Sequence, residues 1–322
     1  MISEPGLFEI DADTYHADPA PQPSLNNSTI GPLLRCPALA REQHPRLNPN
    51  YQPKESTRLD LGSVAHRLLF NAGRDLEIID AADYRGGVAR EARDAARAAG
   101  KLPVLVDQLT AAHEMVTAAK AQIGQFEDLS PQELSTGKFE VGLFWQDGPV
   151  WCRSLIDRLC DDKPVWEVWD YKTTETDIDP EGMALGIHVV SMGYDTQCAL
   201  QERGLVALFP QLAGRIRFRW LFQNTEPPYL ISVVEPDPAT MTIARKKVDR
   251  AIALWAECLK DGWRGYPAKI MPLRHAEHLA NRWLEREIRD FDAGQMPPPP
   301  PKLKRKPGRP KKSKPLDSLM GG

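Results

Sequence analysis

A chain of 322 residues, 42% hydrophobic and 26% charged, can bury one large core or two modest ones and is not a disordered tract as a whole. The formal net charge of −3 conceals an asymmetry: residues 302–314 carry eight Lys/Arg and no acid, and without them and Asp317 the remainder holds 33 basic and 43 acidic groups. An acidic body argues against a protein that coats DNA by charge alone. It suits an enzyme that gathers carboxylates in a pocket and leaves DNA attraction to a local basic patch.

The five cysteines (Cys36, Cys152, Cys160, Cys198, Cys258) show no C-x-x-C spacing. They read as buried, reduced thiols of a cytoplasmic protein rather than a zinc knuckle or a disulfide framework. No N-terminal apolar segment and no 18-residue apolar run is present, so neither export nor membrane insertion is expected.

In chain order, residues 1–23 have few periodic apolar positions and four prolines, and read as an irregular lead-in. Ser24 to Ser28 supply cap residues for a helix carrying Ile30, Leu33, Leu34 and Leu39, bent near Pro32 and Pro37. A loop over 44–53 follows. Residues 59–71 read as a helix with the stripe Leu61, Val64, Ala65, Leu68 and Leu69; Gly62 and His66, four apart, share another face, where a small residue lets something approach the His closely. The Ala- and charge-rich stretch 85–123 reads as two helices broken at 100–103. Strands are expected at 139–145 and 150–160, joined by a turn at 146–149, and at 165–172, with Thr173 and Thr174 beginning a turn or helix. Residues 180–205 read as helical, 215–223 and 229–234 as strands, 238–260 as a helix capped by Asp237, and 275–291 as a last helix. Trp220, Trp255, Trp263 and Trp283 are expected in the core, and His275 and His278 on the surface. Residues 293–322, five consecutive prolines and then a basic run, read as a disordered appendage to a domain spanning 1–292.

The stretch VWEVWDYKTT, 165–174, is the centre of this arrangement. Asp170 and Lys172, two apart on a strand, point the same way. A carboxylate can hold a hard cation, and an ammonium beside it can orient a water for phosphodiester hydrolysis. Alone, such a pair is more often an ordinary ion pair at a strand end. Here it stands in an ordered set: Gly62-x-x-x-His66 on a helix, Asp157 on a strand, Asp170-x-Lys172 on the next strand, and Gln197 on the following helix.

That order and spacing resembles the PD-(D/E)XK nuclease superfamily in its RecB-like branch, and within it the exonuclease VIII (RecE) C-terminal nuclease domain found in phages and prophages. The resemblance covers roughly residues 5–290, and no spacing matches the four-cysteine iron–sulfur cluster of some relatives. It implies an α/β (α+β) restriction-endonuclease-like core, a mixed β-sheet flanked by helices. It further implies Mg2+, with Mn2+ as a substitute, on His66, Asp157, Asp170 and the backbone carbonyl of Tyr171, with Lys172 as the catalytic lysine. Glu140 reads as an outer or second-metal acid. The family's Q-x-x-x-Y reads here as Gln197 and Gln201, and Tyr194, one turn earlier, is a substitute for the missing tyrosine; Gln197 and Tyr194 are expected to touch DNA. The implied activity is 5′-to-3′ digestion of linear duplex, leaving 3′ single strands for an annealing protein, by a ring-shaped homo-oligomer of bacterial or phage origin.

The tail resembles an AT-hook. Its core Gly308-Arg309-Pro310 is flanked by Lys304, Arg305, Lys306, Lys311 and Lys312, and an extended Gly-Arg-Pro can enter the narrow, strongly negative minor groove of A·T-rich DNA. A plain basic tail is the alternative. For the whole chain the alternatives are a non-catalytic DNA-binding protein that keeps the nuclease fold, and a single-strand or structure-specific nuclease.

Overall fold

The computed structural model describes residues 2–52, 57–273 and 275–292. The chain divides into two compact units, Met1–Tyr266 and Pro267–Gly322.

The first unit begins with β1 (Gly6–Glu9), α1 (Ala12–His16), α2 (Asn27–Arg35), α3 (Pro37–Glu42) and α4 (Thr57–Phe70). These are followed by β2 (Leu76–Ile79), α5 (Gly87–Ala98), β3 (Leu102–Leu105) and α6 (Val106–Ile123). The main strands are β4 (Lys138–Asp147), β5 (Val150–Cys160) and β6 (Trp166–Thr174). Then come α7 (Met183–Met192), α8 (Tyr194–Leu208), β7 (Ile216–Asn224), β8 (Ile231–Val234) and α9 (Pro238–Asp261). A six-stranded sheet in the order β1-β4-β5-β6-β7-β8 is antiparallel except between β6 and β7. Parallel neighbours need a crossover, and α7 and α8 provide it. The fold is thus the mixed α/β arrangement of a mostly antiparallel sheet flanked by helices.

Both faces of the central strands are covered, which is why β6 and β7 read as nearly continuous apolar runs. Val168 on β6 and Phe218, Trp220 and Phe222 on β7 share a core with Leu200 and Leu205 of α8 and Trp255 of α9. The alternate positions Trp169, Tyr171 and Leu221 pack with Val64, Leu69 and Phe70 of α4 and Met115 and Ala119 of α6. The sheet therefore carries α4 and α6 on one face and α8 and α9 on the other.

Local chemistry sets several boundaries as expected. Asn26 caps α2 in a reciprocal pair with Thr29, Asp237 accepts from Thr240 N at the start of α9, and all five cysteines are free and buried. The lead-in is more ordered than its sequence suggests. β1 pairs with β4, and the Asp18 side chain, fully buried, meets Arg153 at 3.0 Å and His44 at 3.3 Å, and accepts from Ser24 Oγ at 2.6 Å. A four-residue strand has too short a pattern to be read alone, and its partner lies far along the chain. The break expected at 100–103 follows the end of α5 at Ala98, with Gly100 at φ +70, but the next residues are not a simple interruption: β3 pairs in parallel with β2 and is buried throughout. Thr173 and Thr174 continue β6 against Gln223 and Asn224 instead of turning. The 180–205 helix is two helices, divided at Gly193.

One close approach fixes α4 on the sheet. A Cβ at Gly62 would stand 2.6 Å from Thr173 Oγ1. Gly62→Ala is expected to cost about 1–3 kcal/mol, the range for overpacking, and Thr173→Ala in the same protein to restore most of it. Urea melts of the two single variants and the double variant measure this, and additivity would show that the two positions do not meet.

In the second unit, α10 (Glu277–Asp292) is amphipathic, with Leu279, Leu284 and Ile288 about half exposed. Trp283, expected in the core, is 56% exposed and donates to Glu287 at 2.9 Å. Its spacing matches a core stripe, but spacing does not say whether the stripe is covered. His275 and His278 are exposed. The appendage at 293–322, with its AT-hook-like run, lies outside the described residues.

Candidate active site

The site forms where the sheet's hydrogen bonding is interrupted. The β5–β6 ladder runs Cys160–Glu167, Leu159–Val168, Arg158–Trp169 and stops, so Asp157 and Asp170 lie just beyond its end. The Asp157 carboxylate takes up the slack by accepting the Tyr171 N–H at 3.1 Å. Across the β4–β5 ladder the register passes from Phe139–Arg158 to Val141–Ile156 and skips the Glu140–Asp157 pair. Glu140 has φ +52, a left-handed backbone unusual for a residue with a side chain. One gap level thus holds an acid from each of three adjacent strands.

Helices bring further groups to this gap. From α4, His66 places Nδ1 3.6 Å from Glu140 Oε1 and Nε2 3.7 Å from Asp157 Oδ2, with its ring edge-on to Phe70 at 4.9 Å. Both N···O separations exceed a hydrogen bond. From α8, Gln197 Nε2 donates to Asp170 Oδ1 at 2.9 Å, and Tyr194 turns its ring toward Lys172. Lys172 Nζ lies 2.9 Å from Asp170 Oδ1 and 2.8 Å from Oδ2. Asp157 does not pair with its arginine neighbours: Arg158 donates to the Thr136 and Glu133 carbonyls, and Arg153 serves Asp18 and Ser24.

The electrostatics follow from burial and crowding. Burial and the nearby ammonium of Lys172 depress the His66 pKa to about 4, so the imidazole is neutral and free to act as a ligand near pH 7. Burial, reinforced by the Asp157 charge, lifts Glu140 to about 7. Burial also pushes Asp170 above the usual carboxylate range, against the pull of Lys172 and with Asp157 adding to the rise. For Lys172, burial opposes the charge, but Asp170 and Asp157 outweigh it and hold the ammonium above its ordinary value.

This donor set suits a divalent cation. It combines a neutral imidazole with hard carboxylate oxygens, and Asp170 Oδ2 is buried without a well-directed hydrogen bond. Among the described residues, however, no three His, Cys, Asp or Glu side chains already form a metal cage. Lys172 and Gln197 occupy the Asp170 oxygens instead. Residues 66, 157, 170, 172 and 197, read from sequence as one set, come together, and so do Glu140 and Tyr194. Gln201 stays apart: it is buried and donates to the Leu155 carbonyl at 3.1 Å. The sequence reading had Gln197 and Tyr194 touching DNA; within the chain, Gln197 donates to Asp170 and the Tyr194 ring faces the Lys172 ammonium. It also gave Thr173 no part, although the Gly62–Thr173 approach sets the height of His66; the small residue one turn before the His was the only signal.

No helix among the described residues is long and apolar enough to cross a membrane. No curated protein sequence matches the chain. Among solved structures, one described as a putative exonuclease from Eubacterium rectale aligns with 14% identity over 83% of this chain and 97% of that one, at a TM-score of 0.51. The protein SSO0001 aligns with 12% identity over 66% of this chain and 90% of that one, at a TM-score of 0.26, too low to support an argument. The first of these likenesses concerns the fold alone. The sequence profile of the PD-(D/E)XK nuclease superfamily matches residues 24–278, which takes in every strand of the sheet but β1 and every side chain of the gap, and the chain therefore belongs to that superfamily.

Proposed function

We propose that this protein is a Mg2+-dependent DNA exonuclease of the exonuclease VIII (RecE) type, digesting linear duplex from 5′ ends and leaving 3′ single strands for recombination by annealing. The observation that carries the reading is the meeting of His66, Asp157, Asp170 and Lys172 at one break in the sheet. Membership of a nuclease superfamily supports it, and so does the exonuclease description of the Eubacterium rectale structure.

His66, Asp157, Asp170 and the Tyr171 carbonyl would hold the cation, Mg2+ or in its place Mn2+, which when bound supplies Lewis-acid activation of water and of the scissile phosphate. Lys172 then offsets charge that develops on the phosphate and orients the attacking water. Gln197 holds Asp170 Oδ1 through its Nε2 and so restrains the carboxylate. Asp157 ties the Tyr171 backbone in place through its N–H. The product would carry a 5′ phosphate.

The partners in this reading are duplex DNA with free ends and a single-strand annealing protein, in the cytoplasm of a bacterium or a phage-infected cell. A ring-shaped homo-oligomer would keep the enzyme on its substrate. The run around Gly308-Arg309-Pro310 would act as an AT-hook-like tether that raises the local DNA concentration near an acidic body. Deleting 302–322 is expected to weaken duplex binding and flatten its salt dependence, while cleavage of short substrates is spared. Binding isotherms at several salt concentrations measure this, and an unchanged slope removes the tether.

Digestion of end-labelled linear duplex with Mg2+ or with EDTA tests the activity. The expected result is stepwise loss from the 5′-terminated strand in Mg2+ only. Absence of cleavage in Mg2+ and in Mn2+ would favour a non-catalytic DNA-binding protein. Equal attack on circular and 5′-blocked substrates would favour a structure-specific or single-strand cutter.

A further inference from the structure

The ammonium of Lys172 has two partners of different kinds. One is the Asp170 carboxylate at 2.8–2.9 Å. The other is the face of the Tyr194 ring, with Nζ 5.0 Å from its centroid. That ring is held by neighbours that do not depend on the lysine. His188 of α7 meets it edge-on at 5.8 Å, and the buried Phe222 of β7 stands 6.0 Å away. Phe222 is also the β7 residue in register with Lys172, so the lysine's own strand pairing fixes where the ring stands relative to it. Gly193, in the left-handed region at φ +73, makes the corner between α7 and α8 that turns Tyr194 into this position.

The two partners differ in what they cost the site. A carboxylate that holds the ammonium is less free to hold a cation, because the two positive charges compete for the same oxygens. The ring attracts the ammonium through its quadrupole and adds no net charge. A flexible lysine whose carboxylate is shared would otherwise swing away from the gap, since its stem has several rotatable bonds to freeze.

Resting on the nuclease reading above, we propose that Tyr194 is a positioning residue for Lys172: its ring face keeps the ammonium at the gap while Asp170 turns its oxygens to a divalent cation. The tyrosine acts through the lysine. Replacing the ring by an aliphatic side chain leaves Asp170 as the main hold on the ammonium, so the lysine then competes more strongly with the cation.

The test compares Tyr194→Phe, which keeps the ring, with Tyr194→Leu, which does not. Mn2+ titrated calorimetrically without DNA is expected to bind Tyr194→Leu about fivefold more weakly than Tyr194→Phe, the equivalent of about 1 kcal/mol of cation–π attraction. In cleavage, kcat is expected to fall about tenfold between the same two proteins, with KM for DNA moving little. Placing both substitutions in a Lys172→Met background should erase the difference in Mn2+ affinity, which a ring that merely packs would not do. A shape-preserving series, phenylalanine analogues with one to three ring fluorines at position 194, guards against a Leu variant that does not fold: Mn2+ affinity should fall with each fluorine. A flat series, or a Phe–Leu difference that survives Lys172→Met, overturns the role of Tyr194 and leaves the nuclease reading intact. If the unaltered protein neither binds Mn2+ nor cuts DNA, both fall together.

Discussion

Lys172→Ala is expected to lower digestion of linear duplex in Mg2+ by about 10³-fold, the loss typical when one pre-positioned charge is removed from a developing oxyanion. Duplex binding should stay within a few-fold, because Lys172 is one cation near the chemistry and not a run along the backbone. The structure adds a second, opposite expectation. With the ammonium gone, Asp170 Oδ2 loses its charged partner at 2.8 Å and Oδ1 keeps only Gln197, so Mn2+ should bind the variant more tightly, by about tenfold if the relief is worth about 1.4 kcal/mol. Single-turnover cleavage and calorimetry on one preparation measure both. A variant that cuts like the parent removes Lys172 from the mechanism, and one whose Mn2+ affinity falls removes the idea that ammonium and cation compete for Asp170.

Asp170→Asn should move the metal in the other direction. The substitution keeps the shape but removes the carboxylate to which Lys172 and Gln197 both point. Breaking a buried charged pair typically costs about 3–5 kcal/mol, and here Asp157 and the Tyr194 ring remain for the ammonium, so the lower end is expected. Mn2+ binding should become undetectable by calorimetry, the rise in melting temperature with added Mn2+ should vanish, and cleavage should drop below about 10⁻³ of the parent rate. Clear digestion by the purified Asn variant, at normal Mg2+ concentrations, would take the active site away from this part of the sheet. Together the two substitutions separate the roles of neighbours two residues apart: one loses chemistry and keeps the cation, the other loses both.

Much of the candidate site was legible because it is written in residue types at characteristic spacings. Asp170-x-Lys172 on an apolar run, Asp157 in a strand-like run and Gly62-x-x-x-His66 on an amphipathic helix each follow from local periodicity. That they meet was expected from the resemblance of their order and spacing to a nuclease superfamily, not from periodicity itself. The strands β4 to β8, the helices α4 and α9, and the caps at the start of α2 and α9 were readable for the same reason, whereas the divisions between α2 and α3 and between α7 and α8 were not.

What the chain could not announce are the features that depend on partners distant in sequence. β1 exists because β4 is there to pair with it, and β2 and β3 exist as a pair across the whole of α5. Trp283 fits a core stripe by spacing, yet spacing is blind to whether a covering surface exists. Nor could periodicity show that the β5–β6 ladder ends at Arg158–Trp169, that the register skips Glu140 opposite Asp157, or that Lys172 rests between a carboxylate and a ring. Local sequence determined which residue types stand on each strand and helix face, because side-chain type and helix or strand period act over a few residues. The tertiary structure alone decided where the sheet opens and which partner each charge takes, because those depend on elements from α4 to α8 packing on the two faces of one sheet.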